Sequence, residues 1–456
     1  MAAPARAPRP LIPAIDIHAF GNLLKGAQDK LIDTFLRWTF VQPTVPSATH
    51  ALNQGRWLPI QPRNISGEDP LAEGGSGIVH LWCCLDARDR IIDRVIVKEN
   101  VPGLTEWNRV DIWRNGQVGT EPREHEISVD LFTRLQAANA GDGKFMVECL
   151  GYGDLRGPYG TNTQGQPIAQ AFANQPAVSV ARFKLYLEYC PYGDLYYLIR
   201  RHKAANKLFE EGFIWMMFEA LAKCAIEMEH ANFVHGDMST SNILLGTHDP
   251  QRFKIWPVPK LADFGGSRYL TAGAILRNNN ALLEPMQPDF GSPELSKNGG
   301  GWEVPGLTLS ARTNVWNIGL LICCLMRLEP VLPDTEWRFT NNPPVLVPPA
   351  HHFLQFANPQ QRELLPASFQ HPRANYSQAL RDLAEDCMRY DPNNRPTPTV
   401  LLRRITTDMV GNTGGFDTFT GGVSGRIAWN KKERILGPRV DEWAIGTQSV
   451  IYLAPP

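Results

Sequence analysis

Hydrophobic and polar positions change their rhythm along the chain. Ile78-Val79-His80-Leu81-Trp82 leads through a turn-like stretch from Asp86 to Arg90 into Ile91 to Val97, which predicts a hairpin within a strand-like region spanning Leu71 to Lys98. A Gly/Asn/Trp-bearing loop follows from Asn100 to Thr120. Pro122 near its start and Ile127, Leu131 and Leu135 at i, i+4 and i+8 then predict a helix from about Pro122 to Leu135. Residues 155–180 are rich in Gly, Gln, Asn and Pro and read as an insertion between two strands. After Leu185-Tyr186-Leu187-Glu188-Tyr189 the rhythm becomes helical, with apolar periodicity at 210–231, 312–328 and 376–389 and a Pro-rich irregular stretch at 329–375. The expected architecture is α+β, with a strand-rich lobe, a mostly helical lobe and a ligand cleft between them.

The flanks differ from this centre. Residues 1–62 read as an N-terminal extension in which Leu23, Leu24, Leu31, Ile32, Phe35 and Leu36 are spaced as one helix face, for packing or for a partner. Residues 411–456 form a tail with no assignable pattern. The domain between is expected at 63–410, its first lobe at 63–189 and its second at 190–410.

Composition narrows the function classes. The 456 residues carry 45 Lys plus Arg against 46 Asp plus Glu, so no global field draws nucleic acid or an anionic membrane. The longest apolar run, Val315 to Met326, is shorter than the roughly twenty residues of a membrane helix. No apolar core follows Arg6 and Arg9 as in a secretory signal. The eight cysteines include the pairs Cys83-Cys84 and Cys323-Cys324 within apolar runs, which reads as buried thiols. A soluble cytoplasmic or nuclear protein, neither membrane-inserted nor bound to nucleic acid, is expected.

The chemistry gathers in a few segments. His235-Gly236-Asp237 with Asn242, followed by Ala262-Asp263-Phe264-Gly265, supplies three oxygen-bearing side chains. Asp237 can take a proton from an attacking hydroxyl, and Asn242 and Asp263 can hold magnesium against nucleotide phosphates. Leu71-Ala72-Glu73-Gly74-Gly75-Ser76-Gly77-Ile78-Val79 is a glycine-rich turn, in which backbone amides can approach phosphate oxygens or simply close a hairpin. Lys98 ends the apolar run Val95-Ile96-Val97, where an ammonium is costly unless it meets an anion.

Together these segments resemble the eukaryotic protein kinase family, and the resemblance extends over residues 68–408. It implies a bilobal fold, ATP and Mg2+ as cofactors, and transfer of the γ-phosphate to a hydroxyl of a protein substrate. Lys98 would orient the phosphates with Glu124 as its partner, Glu126 being the alternative. Leu71, Gly74, Gly77 and Val79 would cover the nucleotide. In Leu187-Glu188-Tyr189-Cys190-Pro191-Tyr192-Gly193-Asp194, Glu188 and Cys190 would meet the adenine edge through their backbone, with Asp194 at the ribose. Gly291-Ser292-Pro293-Glu294, Asn314-Val315-Trp316-Asn317-Ile318-Gly319 and Asp391-Pro392-Asn393-Asn394-Arg395 resemble later kinase segments, with Arg395 paired to Glu294. Small-molecule phosphotransferases that share the H-G-D-x-x-x-x-N pattern generally lack this later set.

Departures keep other readings open. Ala72 replaces a glycine of the loop. Gly236 stands where the family often has the arginine that collects a phosphorylated activation segment. Ser239 and Ser241 occupy the positions of the Ser/Thr-kinase lysine and the tyrosine-kinase arginine, so Ser/Thr specificity is favoured only by default. Asn314 replaces an aspartate and is expected to anchor the catalytic loop less strongly. A nucleotide-binding or scaffolding pseudokinase, or a small-molecule phosphotransferase of the aminoglycoside or choline kinase type, are the alternatives.

Overall fold

A computed structural model describes residues 56–60, 72–74, 77–86, 88, 90–100, 102, 104–139, 141–156, 182–247, 249, 256–270, 290–292, 309–331, 338–340, 345–347, 376–389 and 391–413. The chain divides into two compact units. One runs through Asp130 and resumes over Glu148–Tyr189; the other takes Leu131–Val147 and resumes at Cys190. The boundary between Tyr189 and Cys190 falls inside the segment expected to meet the adenine.

The first unit is built on a six-stranded antiparallel sheet of β1 (Arg56–Ile60), β2 (Ala72–Gly74), β3 (Gly77–Leu85), β4 (Ile91–Asn100), β5 (Cys149–Arg156) and β6 (Arg182–Leu187). The spatial order is β1-β3-β4-β6-β5, with β2 paired to β3. Residues 56–60 had been expected in the extension, but they form edge strand β1. Five residues are too few for alternation to stand out, and Pro59 suits an edge, where its missing N–H interrupts no inner ladder. Leu81, Cys83, Val95 and Val97 are buried, as β-branched and apolar residues of an inner strand pair should be.

The stretch after β4 differs more from its expectation as a loop. It contains a short helix, α1 (Leu104–Trp107), and two 3-10 turns before α2 (Arg123–Ala138). Trp107, Trp113, Phe183 and Leu185 form one buried cluster. The helix expected over 122–135 corresponds to α2, whose Ile127, Leu131 and Leu135 are buried.

The second unit is mostly helical. It contains α3 (Leu195–Ala204), α4 (Glu211–His230), α5 (Ala311–Arg327), α6 (Gln378–Cys387) and α7 (Pro398–Thr413). α4 is buried nearly all round, with Phe213, Trp215, Phe218, Leu221 and Met228 inaccessible or nearly so, and it packs against α5 and α7. Ser310 and Thr313 form a capping box at the start of α5, and Ser377 caps α6. Short strand pairs set the chemistry-bearing segments: β7 (Phe233–Val234) with β10 (Arg268–Tyr269), and β8 (Ile243–Leu245) with β9 (Pro259–Leu261). All eight cysteines are buried thiols, and burial pushes those of Cys224 and Cys323 up to about 12, leaving little thiolate at neutral pH. Among the described residues no helix is long and apolar enough to cross a membrane.

The helix expected over 15–40 and most of 329–375 lie outside the described residues, as do Leu71, Pro293 and Glu294; of the insertion expected over 155–180, residues 155–156 end β5, and of the tail expected from 411, residues 411–413 end α7, the rest of both being outside.

His202 at the end of α3 gives the second unit a pH dependence. Its Nδ1–H donates to the Lys207 carbonyl at 2.8 Å while its ring stacks on Phe209 at 3.8 Å. Burial holds its pKa down at about 4, below the usual 6.5. The unfolded chain therefore takes up the proton first, and the stability from neutral His202 is complete above pH 6.5 and lost as pH falls toward 4. In melts from pH 7.5 to 4, wild type minus His202→Gln should shrink by about 3 kcal/mol or less across that window. A difference that does not change with pH would contradict the assignment.

Candidate active site

In the first unit the sheet delivers Lys98. Val79 on β3 and Leu185 on β6 are its cross-strand partners, so the three side chains leave the same face. Its ammonium lies 2.9 Å from Glu124 Oε1, and the two side chains are only 7% and 10% exposed. Glu126, the alternative partner, lies instead 3.5 Å from Arg114. A glutamate one position before Glu124 or two after it would face elsewhere on the helix, which is why register decides the pair. Such a buried pair requires further favourable contacts to offset desolvation.

Gly74 and Gly77 pair across the β2–β3 turn. A Cβ at Gly77 would lie 2.2 Å from the Glu99 carbonyl oxygen, so close strand approach by itself demands glycine there. The Glu188 N–H donates to the Glu148 carbonyl at 2.9 Å.

In the second unit Cys190 is buried and its carbonyl accepts from the Gly193 N–H at 3.5 Å. Asp194 caps α3, its carboxylate accepting from the Tyr197 N–H at 2.7 Å. Helix capping alone accounts for an aspartate at this position.

The three oxygen-bearing side chains share one hydrogen-bonded frame. The Asn242 amide donates to the Asp237 carbonyl at 2.7 Å and to its carboxylate Oδ2 at 2.8 Å. The Asn242 carbonyl accepts from the Ala262 N–H at 2.9 Å, which places Asp263 next in the chain. Among the described residues the Asn242 side-chain oxygen has no protein donor, so it is available to a cation. Asp263 sits at φ 60° and its carboxylate accepts from the Gly265 N–H at 3.2 Å. A non-glycine residue in this conformation carries strain of about 1–3 kcal/mol. One amide oxygen and one carboxylate suit Mg2+, which is usually held by one or two side chains plus phosphate oxygens.

His235 holds this frame together and is fully buried. Its Nε2–H donates to the Ala262 carbonyl at 3.1 Å, and its Nδ1 accepts from the Asp237 N–H at 3.3 Å. Its carbonyl accepts from the Ser267 hydroxyl at 3.1 Å. Gly236 adopts φ 78°, and a Cβ there would lie 2.4 Å from the Gly266 carbonyl oxygen. An arginine therefore cannot simply be restored beside Asp237. Ser239 is buried and bonded through its hydroxyl to that of Ser241 at 2.9 Å.

Asn314 anchors the loop through both ends of its amide. Its Oδ1 accepts from the His235 N–H at 3.0 Å and its Nδ2 donates to the Phe233 carbonyl at 3.3 Å. An amide can do both; an ionised carboxylate only accepts. Arg395 donates to the Arg389 and Arg312 carbonyls at 2.6 and 3.1 Å and lies 4.9 Å from the Trp316 ring centre. We expect Asn314→Asp to set a carboxylate oxygen against the Phe233 carbonyl and cost about 1–3 kcal/mol, measured as a lower melting temperature. An equal or higher melting temperature would contradict this.

Comparison with known proteins agrees with these features. The family described as "Protein kinase domain" matches residues 171–405, just over half of the chain. "Probable serine/threonine-protein kinase nek3" of Dictyostelium discoideum is 25% identical over 218 residues, covering 47% of this chain and 16% of that protein. "G2-specific protein kinase nimA" of Emericella nidulans is 22% identical over 259 residues, covering 49% and 31%. "Serine/threonine-protein kinase Nek9" of Mus musculus is 26% identical over 220 residues, covering 47% and 18%. The match thus spans less than a third of the length of these relatives. With the family match over half its length, the chain belongs to the protein kinase domain family.

Proposed function

We propose that the chain is an ATP- and Mg2+-dependent protein kinase that phosphorylates a protein hydroxyl, Ser or Thr as the names of its relatives say of them. The observation that carries this reading is the shared frame of Asp237, Asn242 and Asp263, with the Asn242 amide bonded to both oxygens of Asp237 that it reaches. Bound magnesium would neutralise phosphate charge and polarise the transferring group. Lys98, fixed by Glu124, orients the phosphates. Asp237 orients the acceptor hydroxyl and takes its proton while the new O–P bond forms and the bond to the departing ADP oxygen breaks. Gly74, Gly77 and Val79 would cover the nucleotide, the Glu188 and Cys190 backbone would meet its base, and Asp194 would approach the ribose. A reducing cytoplasmic or nuclear setting fits the buried thiols.

The Ser239–Ser241 pair favours a second reading, a nucleotide-binding module without turnover. With neither family cation on the catalytic loop, less charge stabilises the transferring phosphate.

Labelled ATP, Mg2+ and a generic protein acceptor such as casein separate the readings. Wild type should transfer label; Asp237→Ala should lower the rate about 10²- to 10⁴-fold, and Lys98→Met should abolish turnover with the fold retained. Transfer that survives Asp237→Ala contradicts the base. Label on a small alcohol but on no protein would favour a small-molecule phosphotransferase, and no transfer by any form would favour the binding module.

A further inference from the structure

The segment between β4 and α2 joins two things that a Lys–Glu pair needs: the sheet face that carries Lys98 and the first turn of the helix that carries Glu124. Trp113 is fully buried. Its indole N–H donates to the Trp107 carbonyl at 2.7 Å, and its ring lies 4.6 Å from that of Trp107 and 5.5 Å from that of Phe183. Phe183 and Leu185 belong to β6, and Leu185 is the cross-strand partner of Lys98. The aromatic end of the segment is therefore rooted on the face from which Lys98 rises.

The polar end grips α2. Trp113 bridges to Pro122, the Arg114 N–H donates to the Glu121 carbonyl at 2.8 Å, and the Arg123 guanidinium donates to the Trp113 carbonyl at 3.2 Å. The Arg114 side chain reaches Glu121 at 2.6 Å and Glu126 at 3.5 Å. Glu121 also meets His125 Nδ1 at 2.6 Å. Burial would raise the Glu121 pKa, but the hydrogen bonds from His125 and Arg114 outweigh it and hold the carboxyl below its ordinary range. The turn that carries Glu124 is thus tied through backbone before that residue and through the Glu126 and His125 side chains after it.

We infer that Trp113 and Arg114 are positioning residues of a built-in clamp that keeps α2 in the register at which Glu124 meets Lys98. This inference rests on the proposed phosphate-orienting role of Lys98 and Glu124.

The test uses the full chain. In the nucleotide-free protein, hydrogen exchange at residues 123–128 should quicken at least about tenfold in Arg114→Ala and Trp113→Ala while α4 is unchanged, and Trp113→Phe should recover most protection. With labelled ATP, Arg114→Ala, at a half-exposed position, should lower kcat/KM for ATP about tenfold. The same change on a Glu124→Ala background should have no further effect, because both act through one pair.

Unchanged exchange in both variants, or an equal loss on the Glu124→Ala background, overturns the clamp. Full activity of Lys98→Met removes instead the reading beneath it, and the clamp with it.

Discussion

One buried imidazole organises the second unit. His235 receives a hydrogen bond from the Asp237 backbone, gives one to the Ala262 carbonyl, and is held in turn by Asn314 and Ser267. Those partners come from the catalytic loop, the strand before Asp263, the start of α5 and the turn after Phe264. Because a buried polar ring is costly unless every group is satisfied, the arrangement has few alternatives. Asp237 and Asp263, separated in the chain, therefore share one rigid support. The Asn242 amide completes it.

The same logic of satisfied groups accounts for the chain's departures from its family's usual residues. Asn314 replaces charge with a donor, and the Phe233 carbonyl uses that donor. Gly236 is required by a left-handed backbone and a neighbouring carbonyl, so its lack of a side chain is a local necessity. Ser239 and Ser241 satisfy one another. The exchanges at Gly236 and Ser239 leave positive charge off the loop and that at Asn314 removes a negative charge, while the frame is maintained. Lys98, in the first unit, keeps a buried ion pair with Glu124 at 2.9 Å.

Much of this was legible in the sequence wherever the signal was local. An apolar strand ending in Lys98, a helix whose buried stripe fixes the face of Glu124, and the short spacing between Asp237 and Asn242 all depend on neighbours a few residues away. Long-range partners were not legible. Nothing around Asn100 to Thr120 is periodic, so its glycines and asparagines suggested a loop; Trp113 becomes core only because β6 brings Phe183 beneath it. Asn314 looked like a weakened aspartate because the carbonyl it serves lies on β7. The edge strand at 56–60 was hidden by its length, and the role of Asp194 as a helix cap competes with its expected place at a ribose.

The central claim is that these groups hold a nucleotide through magnesium, and a thermal melt of the full chain tests it most directly. With ATP and Mg2+ both present at about a hundred times the dissociation constant, stabilisation of about 2.7 kcal/mol is predicted. It should appear as a rise of several degrees that needs both components and is lost in Asp263→Ala. No rise, or the same rise without magnesium and in Asp263→Ala, would contradict the account.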